Sequence, residues 1–272
     1  MSSPLPQTKL NEVIEYFGVP GLKDFQAFSV IGKKKVELKK AMASLMPKDP
    51  IFAHTGLGVI YIYDNQGQLA LTEFKLAYEK SGCGIAESMH FANALFIYGK
   101  YEEAIEIYLE VIRDNKNNKE LFAQIIKRFS DFCFFDELEK VLGISYISRE
   151  LPVNSKSDIA DAHQVKKFLD EFSIPKEFYR DIRGSIDRVY YQFFSLPTNS
   201  DVTTYLDWEL QSYTYTADID SDLLIDIPNT IADMNDCLQD YLIDVYEKHG
   251  IRFGSNEDRI TVYFNLVSKD LK

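Results

Sequence analysis

A period of 34 residues constrains this chain more than any other feature it carries. Take Ile51 as the first residue of a frame. Leu57, Gly58, Tyr61, Ala70, Phe74 and Ala77 then fall at its seventh, eighth, eleventh, twentieth, twenty-fourth and twenty-seventh places. One frame on, from Ile85, the same places hold Phe91, Ala92, Leu95, Ala104, Tyr108 and Val111, with Gly99 and Tyr101 between the two halves. A third frame, from Lys119, gives Ile125, Ile126, Phe129, Leu138 and Leu142, with Phe135 where Tyr101 stood. A repeat of this length is one supersecondary unit that cannot bury its own apolar face and must lean on its neighbours.

The pattern within a frame is that of two helices joined by a short turn. Small residues at the eighth and twentieth places let the helices approach closely. Large ones at the seventh, eleventh, seventeenth and twenty-fourth fill the space between them. In the second frame, residues 101–114 put Ala104, Ile105, Tyr108, Val111 and Ile112 on one side, and Glu102, Glu103, Glu106, Glu110 and Arg113 on the other. That is the spacing of an amphipathic helix. In the third frame Ile126 and Leu138 stand where small residues are usual, so this hairpin is expected to be splayed or to act as a cap.

These frames resemble the tetratricopeptide repeat family over residues 51–142, with hairpins at 51–84, 85–118 and 119–143. The resemblance implies that the first helices of successive hairpins line a concave groove. The matching residues are Phe52, Thr55, Val59, Ile62 and Tyr63 in the first frame, and Ala86, Met89, Asn93, Phe96 and Ile97 in the second. In the third they are Glu120, Ala123, Lys127, Ser130 and Asp131. Some members clamp a C-terminal carboxylate with Lys and Asn at such places. Thr55 and Val59 occupy them here, so that clamp is absent. An apolar groove suits an extended or helical segment with hydrophobic anchors. It equally suits the chain's own residues, either the helix expected near 10–17 or the C-terminal half. A further helix near 34–45, ending before Pro47, reads as the second helix of a leading repeat or as a cap.

Beyond the frames, residues 144–188 read as a helical linker or a continuation of the array. One helix is expected over 159–172, and another opens after Pro175 and reaches about Arg188. From 189 the pattern changes. A dense apolar run ends at Pro197, and residues 213–220 alternate strictly, as a half-buried strand does. A turn at Ser221-Asp222 leads to a short apolar run over 223–227. Pro228-Asn229-Thr230 opens a helix with the apolar stripe Ile231, Met234, Leu238, Tyr241, Leu242 and Val245. Lys248-His249-Gly250 closes it, and a last strand follows over 259–267. The expected fold class is therefore mostly α: a short tetratricopeptide-like helical array in residues 1–145, a linker over 146–188, and a smaller acidic α+β domain in 189–272.

Charge narrows the partners. The net charge is −12, and no Lys or Arg occurs between Arg188 and Lys248, a window holding twelve Asp and Glu. Asp233, Asp236, Asp240, Asp244 and Glu247 form one acidic face of the helix after Pro228. Such a surface repels phosphate backbones and anionic membranes, so neither nucleic acid nor membrane is an expected partner. No run approaches the roughly 20 apolar residues that cross a bilayer. The start lacks a basic region followed by an apolar stretch, and Cys83, Cys133 and Cys237 are odd in number and scattered. A cytoplasmic location is expected.

Candidate chemistry is sparse. Asp218, Asp220, Asp222 and Asp226 have calcium-loop spacing, but Leu223 sits where the sharp turn needs Gly, and Asn229 where a bidentate Glu belongs. His54, His90, His163 and His249 lack acids or cysteines at ligand spacing. Gly56-Leu-Gly58 is too short for a phosphate loop. No metal, cofactor or catalytic set is expected. The leading expectation is a non-catalytic module (adaptor, chaperone or inhibitor) that binds a protein or peptide partner in the groove, a second copy of the chain being one partner it admits. Two alternatives stand beside it. The acidic domain neutralises a basic toxin or nucleic-acid-binding protein, or the C-terminal half hides a hydrolase.

Overall fold

A computed structural model describes residues 6–17, 30–144, 153–193, 202–220, 227–252 and 254–267. In chain order the helices are α1 (Pro6–Phe17), α2 (Val30–Leu45), α3 (Pro50–Tyr63), α4 (Gly67–Lys80), α5 (Ile85–Ile97), α6 (Tyr101–Asp114), α7 (Lys119–Asp131), α8 (Phe135–Gly143), α9 (Val153–Glu171) and α10 (Lys176–Phe193). Strands β1 (Val202–Asp207) and β2 (Ser212–Asp220), helix α11 (Ile227–His249) and strand β3 (Ile260–Val267) complete the chain. The protein is mostly helical with a small sheet near its C-terminus, as expected. The expected stop at Pro197 and the turn and apolar run at 221–226 lie outside the described residues. By compactness the chain forms two units. One comprises Met1–Ala104, Arg188–Ser200 and Asp222–Asp226; the other comprises Ile105–Asp187, Asp201–Ser221 and Ile227–Lys272.

Each frame is a helix–turn–helix, and the turns repeat more faithfully than the side chains do. Asn65 (φ 56°), Gly99 (φ 72°) and Cys133 (φ 54°) are left-handed, and each lies 34 residues after the last. At each, the next amide reaches five residues back into the helix just ended: Gln66 N–H to the Tyr61 carbonyl, Lys100 to Leu95 and Phe134 to Phe129, all at 2.9 Å. This is the Schellman closure, which satisfies carbonyls that a helix end otherwise orphans. Ser173 (φ 54°) repeats it between α9 and α10, with Ile174 N–H on the Leu169 carbonyl at 2.8 Å. The helices that open the first and third frames, α3 and α7, begin where the sequence supplies caps. Asp49 accepts from Phe52 N–H at 3.3 Å ahead of Pro50, and Asn118 accepts from Leu121 N–H at 3.1 Å.

The first unit is built on α3. Gly58 is there because α4 brings the Phe74 ring against it: a β-carbon at Gly58 would lie 2.8 Å from that ring. Ala53 and Ile60 form a core with Val13 of α1 and Leu38, Met42 and Leu45 of α2. Leu10 of α1 sits over Gly56, 3.6 Å from where a β-carbon would be. Asp64, at the end of α3, takes Lys35 at 2.8 Å and Lys39 at 3.0 Å from α2. His54 of α3 meets Glu73 of α4 at 2.7 Å.

The second unit joins the third hairpin to α9, α10, the sheet and α11. Ile126 and Leu138 are fully buried, so α7 and α8 pair through large residues where the other frames use small ones. Arg180 of α10 donates to the carbonyls of Phe132 (3.2 Å) and Cys133 (3.0 Å), fixing α10 to the turn between α7 and α8. The helix itself outruns its expected end at Arg188 and continues to Phe193. Val189 and Tyr190 are buried and extend the apolar face of Phe178, Ile182 and Ile186. In β2 the alternation is as expected: Tyr213, Tyr215, Ala217 and Ile219 are buried, though Thr216 is as well. Strand β1 was not foreseen. It pairs antiparallel with β2, from Val202 opposite Ala217 to Asp207 opposite Ser212. The Asp207 carboxylate closes the connecting loop by accepting from the Glu209 and Leu210 amides. On the other side β3 runs parallel to β2, with Tyr213 opposite Ile260 and Asp220 opposite Val267.

Helix α11 ends as its sequence implies. Gly250 is left-handed (φ 63°), and Asp181 of α10 holds Lys248 at 2.6 Å and His249 at 2.7 Å. Asn235 of α11 both accepts from the Phe264 amide (2.9 Å) and donates to its carbonyl (3.1 Å), closing backbone groups on edge strand β3. An edge so covered cannot recruit a further strand at that point.

Candidate functional site

The expected groove residues divide sharply between frames. In the first, Thr55 is buried and its hydroxyl donates to the Ile51 carbonyl. Phe52, Val59 and Tyr63 are half-buried against the core that α1 and α2 share with α3. Ile62 is half-buried too. This face of α3 thus carries the chain's own first two helices. In the second frame Phe96 is buried edge-on to Tyr101 (centroids 5.1 Å apart), while Met89, Asn93 and Ile97 are half-buried. In the third frame Lys127 is exposed, with Ser130 and Asp131 one turn along.

Those three third-frame residues line one pocket of about 130 Å³ in the second unit. Opposite them, α9 contributes Asp158, Asp161, Ala162 and Val165; α10 gives Tyr179, β1 Thr204, and β2 Tyr213 and Tyr215. The pocket exists because five separately motivated elements meet there. Strict alternation in β2 sends Tyr213 and Tyr215 to the same face, and the helical spacing of α9 places Asp158 and Asp161 one turn apart. Tyr179 and Tyr213 touch hydroxyl to hydroxyl at 3.3 Å.

Its electrostatics are one-sided. Three carboxylates face one ammonium, and Lys127 is engaged with Asp131 at 3.6 Å. Burial raises the Asp158 carboxyl above its usual range; Lys127 lowers it again, and Asp131 and Asp161 raise it further. Burial pushes the hydroxyls of Tyr179, Tyr213 and Tyr215 upward, so they remain neutral donors and acceptors at ordinary pH. Ser130 is 4 % exposed, and its Oγ finds no hydrogen-bond partner among the described residues. Behind Tyr215 lies Arg183, its guanidinium 4.6 Å from that ring's centroid and bonded to Asp187 at 2.6 Å.

The acidic face stands apart from the pocket in kind. Asp233, Asp236, Asp240, Asp244 and Glu247 are all exposed on α11, opposite buried Met234, Leu238 and Val245. None of the five takes part in an ion pair among the described residues.

The remaining singled-out residues are structural in placement. His90 stacks on Phe74, His163 lies 3.7 Å from Glu139 on the surface, and Asp218 accepts from Asn265 at 3.2 Å. Asp222 and Asp226 lie outside the described residues, and no cluster of His, Cys, Asp and Glu suited to a metal occurs among those described. Burial raises the thiols of Cys133 and Cys237, and the nearby Asp240, Asp233 and Asp236 raise Cys237 further. Asp158, Asp161, Tyr179, Tyr213 and Tyr215 were not foreseen as site residues. Only the third-frame groove places, Lys127, Ser130 and Asp131, pointed toward the pocket.

Fold and site together define a mostly helical protein of repeated 34-residue hairpins bearing a small three-stranded sheet. Comparison with family models, with curated proteins and with solved structures finds no match for the chain.

Proposed function

We propose that this is a tetratricopeptide-like hairpin protein that works by holding another protein, without catalysing a reaction on it. The observation that carries the reading is the third-frame pocket. Lys127, Ser130 and Asp131 are the places where the repeat family meets its ligands, and here they line an open, polar depression. The three identical turns at Asn65, Gly99 and Cys133 support the repeat itself, because a 34-residue period in backbone geometry is independent of which side chains fill the frame. With α1 and α2 seated on the first frame, that part of the expected groove is already covered by the chain itself, which favours the frames beyond it for a partner.

The test is capture from the native source with full-length bait. Asp131→Ala and Asp158→Asn should each cut recovery of a specific partner at least about tenfold, the loss of one charge-assisted contact, with the helical circular dichroism intact. Recovery unchanged by both substitutions would sink the reading.

A second reading has its own support in the five exposed, unpaired carboxylates of α11. They suit a basic protein partner met by long-range attraction. Replacing Asp233, Asp236, Asp240 and Asp244 by Asn should then slow association and flatten its salt dependence, while leaving the pocket variants' effect unchanged.

A further inference from the structure

We infer that the pocket between α7, α9 and β2 receives the guanidinium of an arginine side chain from the partner. The inference rests on the reading of this pocket as the partner-binding site. Volume sets the first limit. A cavity of about 150 Å³ holds a benzene-sized group, so a space of about 130 Å³ admits a planar guanidinium with part of its stem. Charge sets the second. Among the lining residues Asp131, Asp158 and Asp161 outnumber Lys127, with Arg183 behind Tyr215 also acting on Asp131, so a bound cation meets a surplus of carboxylate, whereas an anion adds to it.

The number of acceptors selects among cations. Carboxylates from two helices line the pocket together with Ser130, whose Oγ is buried and has no partner among the described residues. A buried hydroxyl left unpaired costs about 1–3 kcal/mol, and a ligand N–H directed at it recovers that cost. Guanidinium offers five N–H donors in a rigid fork, while an ammonium offers three on a point charge already represented by Lys127. Tyr179, Tyr213 and Tyr215 add aromatic walls, which favour guanidinium over ammonium. Arg183 shows the same chemistry within this fold: its guanidinium sits between the rings of Phe132 (4.9 Å) and Tyr215 (4.6 Å), with Asp187 as its carboxylate.

The experiment titrates the full chain with Nα-acetyl-arginine amide and, separately, Nα-acetyl-lysine amide, followed by calorimetry and amide NMR shifts. The arginine probe should saturate with a dissociation constant of about 1 mM or below and bind about tenfold tighter than the lysine probe. Shifts should centre on Ser130, Asp158 and Tyr215. Asp158→Asn should weaken the arginine probe about tenfold, and Ser130→Ala a few-fold, with thermal melting no lower than the parent's in either case. The arginine-over-lysine comparison needs no variant, so a misfolded mutant does not decide the matter. Equal affinity for the two probes, or no saturation by about 10 mM, overturns the inference. Agmatine binding more than about tenfold tighter than the blocked arginine overturns the assignment to a protein side chain. If the probe fails while partner capture still depends on Asp158, the arginine inference falls and the proposed function stands. If the probe binds while capture ignores both Asp131 and Asp158, the pocket chemistry stands and the proposed function falls.

Discussion

Alkaline unfolding of the second unit follows from four tyrosines. Tyr108, Tyr179, Tyr213 and Tyr215 are between 1 % and 4 % exposed. Burial raises all four hydroxyls: Tyr108 is pushed up to about 12 despite the opposing pull of Arg128, and burial is the largest cause of the upward shift in the other three as well. In the unfolded chain a tyrosine ionises at about pH 10. A folded-state value above the unfolded one means the stabilisation is fully present below about pH 10 and is lost as pH climbs toward the folded value. At about pH 11 each buried hydroxyl has surrendered on the order of 1 kcal/mol, so the four together remove roughly 5 kcal/mol, and the buried Cys133 thiol adds to that. Total stabilities are commonly 5–15 kcal/mol, so about one pH unit above 10 suffices to unfold this unit.

The assay follows tyrosinate absorbance and far-ultraviolet circular dichroism together through an alkaline titration. The chain has 17 tyrosines. The exposed ones should ionise in a broad first phase with no loss of helix. The buried ones should ionise only in a steep second phase that coincides with loss of helix signal. Tyr179→Phe should make that second phase shallower, having removed one of the linked protons. Full tyrosine ionisation below about pH 11 with the helix signal intact would refute the burial argument.

Two substitutions test packing. Gly58→Ala pushes a β-carbon to 2.8 Å from the Phe74 ring, so the protein should lose about 1–3 kcal/mol by urea denaturation; a smaller Leu at position 74 should relieve most of that loss in a double-mutant cycle. Asn235→Ala strips the Phe264 amide and carbonyl of their partners, which should cost about 1–3 kcal/mol and accelerate hydrogen exchange at the Phe264 amide specifically.

The helical hairpins were legible because a 34-residue period and the 3.6-residue spacing of apolar side chains are local properties. The same holds for β2 and α11, whose alternation and capping residues lie within the segments they shape. The turns were only partly legible. Gly99 announces a left-handed residue, but Asn65, Cys133 and Ser173 adopt the same conformation without being glycine, at a cost of about 1–2 kcal/mol that the surrounding packing absorbs. Strand β1 was hidden because residues 202–207 earn their strand geometry by pairing with β2, and an edge pairing leaves little mark on one strand alone.

What tertiary structure alone decided was which surface stays open. Phe52, Val59 and Tyr63 have the same apolar character whether a partner or the chain's own helices cover them, and only the placement of Val13, Leu38 and Met42 shows that α1 and α2 do so. The pocket is decided the same way. Asp131, Asp158, Tyr179 and Tyr215 are each unremarkable in their own segments, and become a site because α7, α9, α10 and β2 bring them to one wall. Periodicity is set by bonds between near neighbours and can be read along the chain. Exposure and charge balance are sums over groups distant in sequence, and they exist only after the core has formed.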